Sequence, residues 1–168
     1  TTPELAPVLA RIPAPHRQPP LVFAVSRLLG APTTEGAVWA AWVLAHADAL
    51  VAESAVRSVQ TNGPLRCAAL LPAPSRIEGP IALLEIGASA GLCLYPDRYS
   101  YRYTLDSGRT RVLDPAGGPA SVVLSSTWSG PEVDMHLPTV VWRAGIDLHP
   151  LDARSADDRR WLTGLVWP

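Results

Sequence analysis

Residues 81–91 constrain this chain more than any other stretch, because an apolar run passes directly into a loop of small residues. The run over residues 81–86 predicts a strand that is buried on both faces, as in a parallel sheet. Gly87, Ser89 and Gly91 then leave space at the carboxyl end of this strand, and we expect a helix to start directly after them. Open α/β sheets bind ligands at this position.

A second apolar run covers residues 140–146, and Asp147 follows it. We predict that residues 81–86 and 140–146 are adjacent parallel strands, so that their carboxyl ends share one edge of the sheet. Asp147 lies 56 residues past Gly91 (147 − 91). The segment between the two runs must therefore be looped out if Asp147 is to meet the glycine loop.

The intervening segment, at about residues 98–139, is predicted to be an antiparallel insertion. Tyr99, Tyr101 and Tyr103 alternate with polar residues, which is typical of a half-buried strand. A turn at residues 106–108 leads to a return strand over 109–113, and a third strand is predicted over 121–128. Alternation places the tyrosines in the core and the arginines in solvent. This arrangement disfavours single-stranded nucleic acid as a partner.

The amino-terminal part predicts a helical cap. Residues 1–19 are rich in proline and are expected to wrap over a surface. A helix follows, with Pro19 and Pro20 in its first turn and residues 21–29 continuing it. A longer helix over 37–58 is predicted to be continuous and to bury one stripe of side chains. The stripe consists of Trp39, Trp42, Val43, His46 and Leu50, so that His46 is expected in the core. We place the domain boundary between residues 1–79 and 80–168.

Composition limits the classes of function. The 168 residues, 48% hydrophobic and 17% charged, are enough for one core. The net charge of −1 supplies no field that would gather nucleic acid or a membrane surface, and no apolar stretch reaches the length of a membrane span. All 14 basic residues are arginine, which excludes lysine chemistry. Cys67 and Cys93 lie far apart in sequence without metal-ligand spacing, as expected for reduced thiols of a cytoplasmic protein without a metal site.

A polar segment precedes the first apolar strand. Arg57, Gln60, Asn62 and Arg66 place strong hydrogen-bonding groups there, and we interpret them as candidate substrate-binding residues. The alternative is that Asn62 caps a helix.

The spacing Glu85-x-Gly87-x-Ser89-x-Gly91 resembles motif I of class I S-adenosylmethionine methyltransferases, with serine in place of the usual middle glycine. The resemblance implies a partial Rossmann-like α/β fold with S-adenosylmethionine as cofactor. It implies that Glu85 meets the amino-acid part of the cofactor and that the glycine loop admits its backbone-facing side. Asp147 would hold the ribose hydroxyls, a task that suits a carboxylate.

Over most of its length the chain also resembles an uncharacterised family of bacteria with high genomic GC content. The resemblance is carried by blocks in order, at residues 57–62, 66–72, 84–92, 97–101, 145–150, 157–162 and 165–168. It implies no established reaction. Members look roughly twice as long, so we expect this chain to stop partway through the fold.

Two other functions remain open. Gly87-Ala-Ser89-Ala-Gly91 also matches the Gly-x-Ser-x-Gly elbow of serine hydrolases, for which His136 and His149 are the downstream histidines. A non-catalytic module that binds a small molecule is the third possibility. Methyl transfer depends mainly on alignment, so the sequence identifies no catalytic residue, and it identifies neither substrate nor oligomeric state.

Overall fold

The structure, a computed structural model, describes residues 3–60, 63–131 and 133–166. These residues form two compact units, one of residues 3–60 with 151–166 and the other of residues 63–150. The helices are α1 (Ala6–Ala10), α2 (Pro19–Leu28), α3 (Gly36–Ala45), α4 (Ala47–Val56), α5 (Arg66–Leu70) and α6 (Ala156–Gly164). The strands are β1 (Ile81–Ile86), β2 (Ser100–Leu105), β3 (Thr110–Leu113), β4 (Val123–Trp128) and β5 (Val140–Ile146).

The helical unit is built from α1 to α4 and α6 around one apolar core. The helix predicted to have Pro19 and Pro20 in its first turn is confirmed as α2. The expectation that residues 1–19 wrap over a surface without packing as an element is wrong for the part that the structure describes. Residues 3–16 form short helical turns, and Leu5 and Ile12 are buried in and between them, because prolines are tolerated at the first turns of helices.

The continuous helix predicted over residues 37–58 is interrupted at His46, whose φ of −120° and ψ of 24° are not helical. The prediction that His46 is buried is also wrong, since its side chain is exposed and stacks on Trp42 with 4.3 Å between ring centroids. Val43 and Leu50 of the predicted stripe are buried, and Ala40 and Ser54 join them in place of Trp39, Trp42 and His46. Small residues let the helices approach, and the tryptophans are half-buried at the edge. The buried residues of α3 and α4 are Ala40, Val43, Leu50 and Ser54.

In the second unit, β1 and β5 form a parallel pair, which confirms the predicted pairing. Glu85 lies opposite Gly145 and Ile86 opposite Ile146, so both carboxyl ends are at the same edge. The prediction that β1 is covered on both faces is wrong. Its burial alternates, and Leu84 and Ile86 are 53% and 82% exposed.

A separate three-stranded sheet has the order β3-β2-β4. The hairpin of β2 and β3 is antiparallel, as predicted. However, β4 pairs with β2 in parallel, so the insertion is not wholly antiparallel. The segment between β3 and β4 is long enough to carry the chain back past the short β3 to the other edge of β2. Tyr101 and Tyr103 are 0% and 1% exposed in the core of this unit, as the alternation predicts.

The fold is therefore a mixed α/β structure with a parallel sheet and helices. The contacts group residues 151–166 with the first helices because α6 packs against α2. A boundary near residue 80 stays a prediction. Among the described helices, none combines the length and the apolar character that crossing a membrane requires.

Candidate functional site

The glycine loop lies at the carboxyl edge of the parallel pair. Gly87, Ser89 and Gly91 have φ values of 78°, 52° and 72°, in the left-handed region that favours glycine. The main-chain N–H groups of Gly87 and Ala88 donate to the carbonyl of Ile146 at 2.7 and 3.2 Å. The end of β1 is thereby joined to the end of β5.

Asp147 reaches this loop, although most of the second unit separates the two in sequence. Its Oδ2 accepts a hydrogen bond of 2.7 Å from the main-chain N–H of Ser89, and its Oδ1 accepts one of 2.8 Å from that of His149. These bonds from His149 and Ser89 hold the pKa of Asp147 below its ordinary value. The carboxylate is therefore ionised at neutral pH and acts only as an acceptor.

Glu85 is half-buried near the end of β1, and its Oε2 is enclosed without a hydrogen-bond partner among the described residues. Burial raises the pKa of Glu85, the charge of Arg66 lowers it, and the charge of Asp147 raises it. Enclosed carboxylate oxygens are normally satisfied by a partner. The missing partner of Glu85 Oε2 is therefore the feature of this edge that points to a ligand.

The helix predicted directly after the glycine loop is absent. The chain instead makes two single turns of 3-10 helix, Leu92–Leu94 and Pro96–Arg98. An α-helix starting at Gly91 would include Pro96, which lacks the N–H that the second turn needs and clashes with the preceding turn.

An ion pair that the sequence analysis missed fixes this segment. Both guanidinium Nη atoms of Arg143, on β5, contact Asp97 at 2.9 and 3.0 Å, and the guanidinium lies 4.7 Å above the ring centroid of Tyr95. Arg143 also donates to the carbonyl of Leu94 at 2.9 Å. The pairing has no local sequence signal, because the two residues are 46 positions apart.

Gly145 is a second missed residue. A Cβ at this position would lie 2.5 Å from the Cβ of Ala88. Two carbon atoms this close would clash, so the backbone of the loop or of β5 would have to shift. Glycine therefore permits the close approach of the loop to β5. The sequence signal that could have identified Gly145 is the order Gly-Ile-Asp at the end of β5.

The four predicted substrate-binding residues are distributed as follows. Arg57, in the helical unit, binds Glu53 at 2.7 Å and Asp157 at 2.8 Å. Gln60 is half-buried in the same unit. Arg66 is exposed at the start of α5 in the other unit, where its charge acts on Glu85. Asn62 lies outside the described residues.

The serine elbow is matched in part. Ser89 has the positive φ of a sharp turn, but it is only 7% exposed and no α-helix follows it, whereas a nucleophile elbow presents its serine between a strand and a helix. Asp147 accepts from the main chain of Ser89, which is not the orienting contact to a histidine that a triad uses. His136 is one of the two downstream histidines that the elbow could use, and its main-chain N–H donates to Oγ of another serine, Ser75, at 3.2 Å.

Cys67 and Cys93 are free thiols in the second unit. Burial and then the neighbouring Cys93 raise the pKa of Cys67 to about 12, so that its thiol is neutral at pH 7. Within residues 3–60, 63–131 and 133–166, no group of three or more His, Cys, Asp or Glu side chains is arranged to hold a metal ion.

A family described as "Uncharacterized protein conserved in bacteria (DUF2332)" matches residues 8–168. The chain belongs to this family. Its description assigns no reaction, so the function of the site has to be argued from the site itself. No curated protein matches the chain, and no solved structure matches it.

Proposed function

We propose that this chain binds S-adenosylmethionine, or a related nucleoside, at the carboxyl ends of β1 and β5 as a methyltransferase-like domain. The observation that carries the proposal is the 2.7 Å hydrogen bond between Ser89 N and Asp147 Oδ2. This bond joins the glycine loop after β1 to Asp147 after β5, the two sequence features on which a nucleoside site here depends. Parallel α/β sheets bind nucleosides at the carboxyl edge of their strands.

Asp147 would hold the ribose hydroxyls. A carboxylate offers about four acceptor positions, and the main-chain N–H groups of Ser89 and His149 account for two of them. The main-chain N–H of Leu148 also acts on this carboxylate, and the remaining acceptor capacity would go to the ribose hydroxyls. The lowered pKa supports this role because it keeps both oxygens as acceptors.

Glu85 would meet a positively charged part of the ligand. Its enclosed Oε2 lacks a partner among the described residues, and a cationic group would satisfy it. Arg66, whose charge acts on Glu85, would attract a ligand carboxylate. An amino-acid group with an ammonium and a carboxylate fits this pair of opposite charges.

Bound S-adenosylmethionine would supply an activated methyl group. The residues of this chain would contribute binding and alignment, with Gly87 and Gly91 giving the ligand close access to the main chain. Arg57, Gln60 and Asn62 stay predictions for the substrate side, whereas Arg66, which was predicted there too, would in this proposal serve the amino-acid part of the cofactor.

Isothermal titration calorimetry with S-adenosylhomocysteine tests the proposal. We expect saturable binding that Asp147→Ala weakens about tenfold or more, as for hydrogen bonds to a charged group. The matched control is Asp106→Ala. Asp106 also accepts a main-chain N–H, that of Gly130 at 3.0 Å, but in a different loop, and its loss should leave binding unchanged.

A serine-reactive phosphonate distinguishes this proposal from the alternative that the chain is a serine hydrolase. If it labels Ser89 while S-adenosylmethionine and S-adenosylhomocysteine fail to bind, the chain is a hydrolase and the nucleoside proposal is wrong. If Asp106→Ala weakens binding as much as Asp147→Ala, the ligand does not depend on the edge formed by β1 and β5.

A further inference from the structure

The helical unit contains a cavity of about 700 Å³ that the proposed function does not use. It is formed by the amino-terminal turns, α2 and the start of α3, so all of its lining belongs to one unit. The volume lies in the range of small-molecule sites, about 300–1,000 Å³.

The walls of the cavity are mainly apolar. Leu5 and Val22 are buried, and Phe23 is 39% exposed beside Trp39, with 4.8 Å between the ring centroids. The indole Nε1 of Trp39 is enclosed by protein, so it does not present a donor to the cavity. The apolar lining therefore favours an aliphatic or aromatic body without polar groups of its own.

The charged groups in the lining are Arg17, Arg27 and Glu35, which leaves an excess of one positive charge. Arg17 donates to the carbonyls of Ile12 and Ala10 at 2.6 and 2.7 Å, and Arg27 donates to the carbonyl of Val166. Neither arginine forms an ion pair with a carboxylate of the described residues. Each guanidinium has five N–H donors, so donors remain for an anion.

We propose that this cavity binds an amphipathic carboxylate, namely a medium-length acyl chain with a free carboxyl end. The chain lies along the apolar wall of Val22, Phe23 and Trp39, and the carboxylate pairs with the arginines of the lining. Guanidinium groups match carboxylates in geometry as well as in charge. The site is separate from the nucleoside site proposed above and does not depend on it.

The test is calorimetric titration of the chain with dodecanoate below its micelle concentration, compared with dodecyltrimethylammonium of equal chain length. We expect saturable one-to-one binding of dodecanoate and at least about tenfold weaker binding of the cation. Equal binding of the two would overturn the proposal, because only the hydrophobic body would then be recognised. Failure of dodecanoate to bind a chain that is folded by circular dichroism would also overturn it.

Two variants locate the site. Replacing both Arg17 and Arg27 by Gln should weaken dodecanoate binding about tenfold or more, whereas Arg159→Gln should not. Arg159 is the matched control because it too donates to main-chain carbonyls, those of Ala153 and Arg154, and lies outside this cavity.

Ala6→Trp fills the cavity from an exposed position of its lining and leaves both arginines in place. We expect it to abolish binding of dodecanoate. Undiminished binding by a folded Ala6→Trp variant would mean that the acyl chain binds elsewhere.

Discussion

Glu85 is kept in the folded chain at a cost in stability. Its side chain is half-buried, its Oε2 is enclosed without a partner among the described residues, and burial raises its pKa. An ionised carboxylate in such a position is destabilising unless a partner satisfies it. This is the pattern expected of a residue retained for binding rather than for folding.

Glu85→Gln should therefore stabilise the protein without ligand at pH 7, by about 2 °C in Tm. The raised pKa sets the pH dependence, because the folded protein binds this proton more tightly than the unfolded chain does. The resulting stability is fully present below the ordinary pKa of 4.5 and is lost as the pH rises through the folded value. The advantage of the variant should thus disappear as the pH falls from 7 to below 4.5, as thermal unfolding followed by circular dichroism would measure.

The exposed Glu78→Gln variant is the control and should leave Tm nearly unchanged at both pH values. A Glu85→Gln variant that is less stable than the parent at pH 7 would show that the carboxylate stabilises the fold. Glu85 would then be a structural residue and not one that is retained for binding a ligand.

At the scale of elements, the sequence predicted the strands better than the helices. The bounds of β1 and β5 agree with the prediction, because residues that disfavour strands follow each run: Gly87 after β1, and Asp147 after β5. Their parallel pairing was predicted because each run is apolar and was expected to lead into a helix, and the pairing is confirmed although no α-helix directly follows the glycine loop. The break at His46 was not predictable from periodicity, since the buried stripe runs on through the break with the same spacing. Pro96 did carry a readable signal against a helix after the glycine loop.

The parallel pair leaves one face open. Ile86 and Ile146 are opposite each other in the register and are 82% and 59% exposed, and Trp142, opposite Ala82 nearer the start of β5, is 54% exposed. Such an exposed apolar face binds hydrophobic dyes. Combined replacement of Ile86 and Ile146 by Thr should lower the fluorescence of bound anilinonaphthalene sulfonate by about a factor of two.

The same double variant should keep its Tm within about 2 °C, because exposed side chains contribute little to stability and Thr retains the β-branch. Ile77→Thr is the matched control, at 51% exposure and outside the sheet. Dye fluorescence that falls equally in the Ile77 variant would argue against an apolar face centred on β1 and β5.

At the scale of the whole molecule, the sequence predicted the α/β class and the meeting of the glycine loop with Asp147. It could not predict the Arg143–Asp97 pair or the cavity beside Val22 and Trp39. Both arise from residues that are brought together by packing and have no spacing rule of their own. Features set by the ends of paired strands at one edge of a sheet were therefore accessible, and those built by side-chain packing between other elements were not.

The charge of the whole chain leads to a last prediction. The net charge is −1 at pH 7 and the isoelectric point is about 6.4, so repulsion between copies is weak and vanishes as the pH falls toward 6.4. Static light scattering between pH 8 and pH 6 should therefore show association that is greatest near the isoelectric point. We expect the open face of β1 and β5 to supply the apolar contact, so the Ile86→Thr, Ile146→Thr variant, which has the same charge, should associate less at every pH. Equal scattering by the two proteins would place the contact elsewhere on the surface.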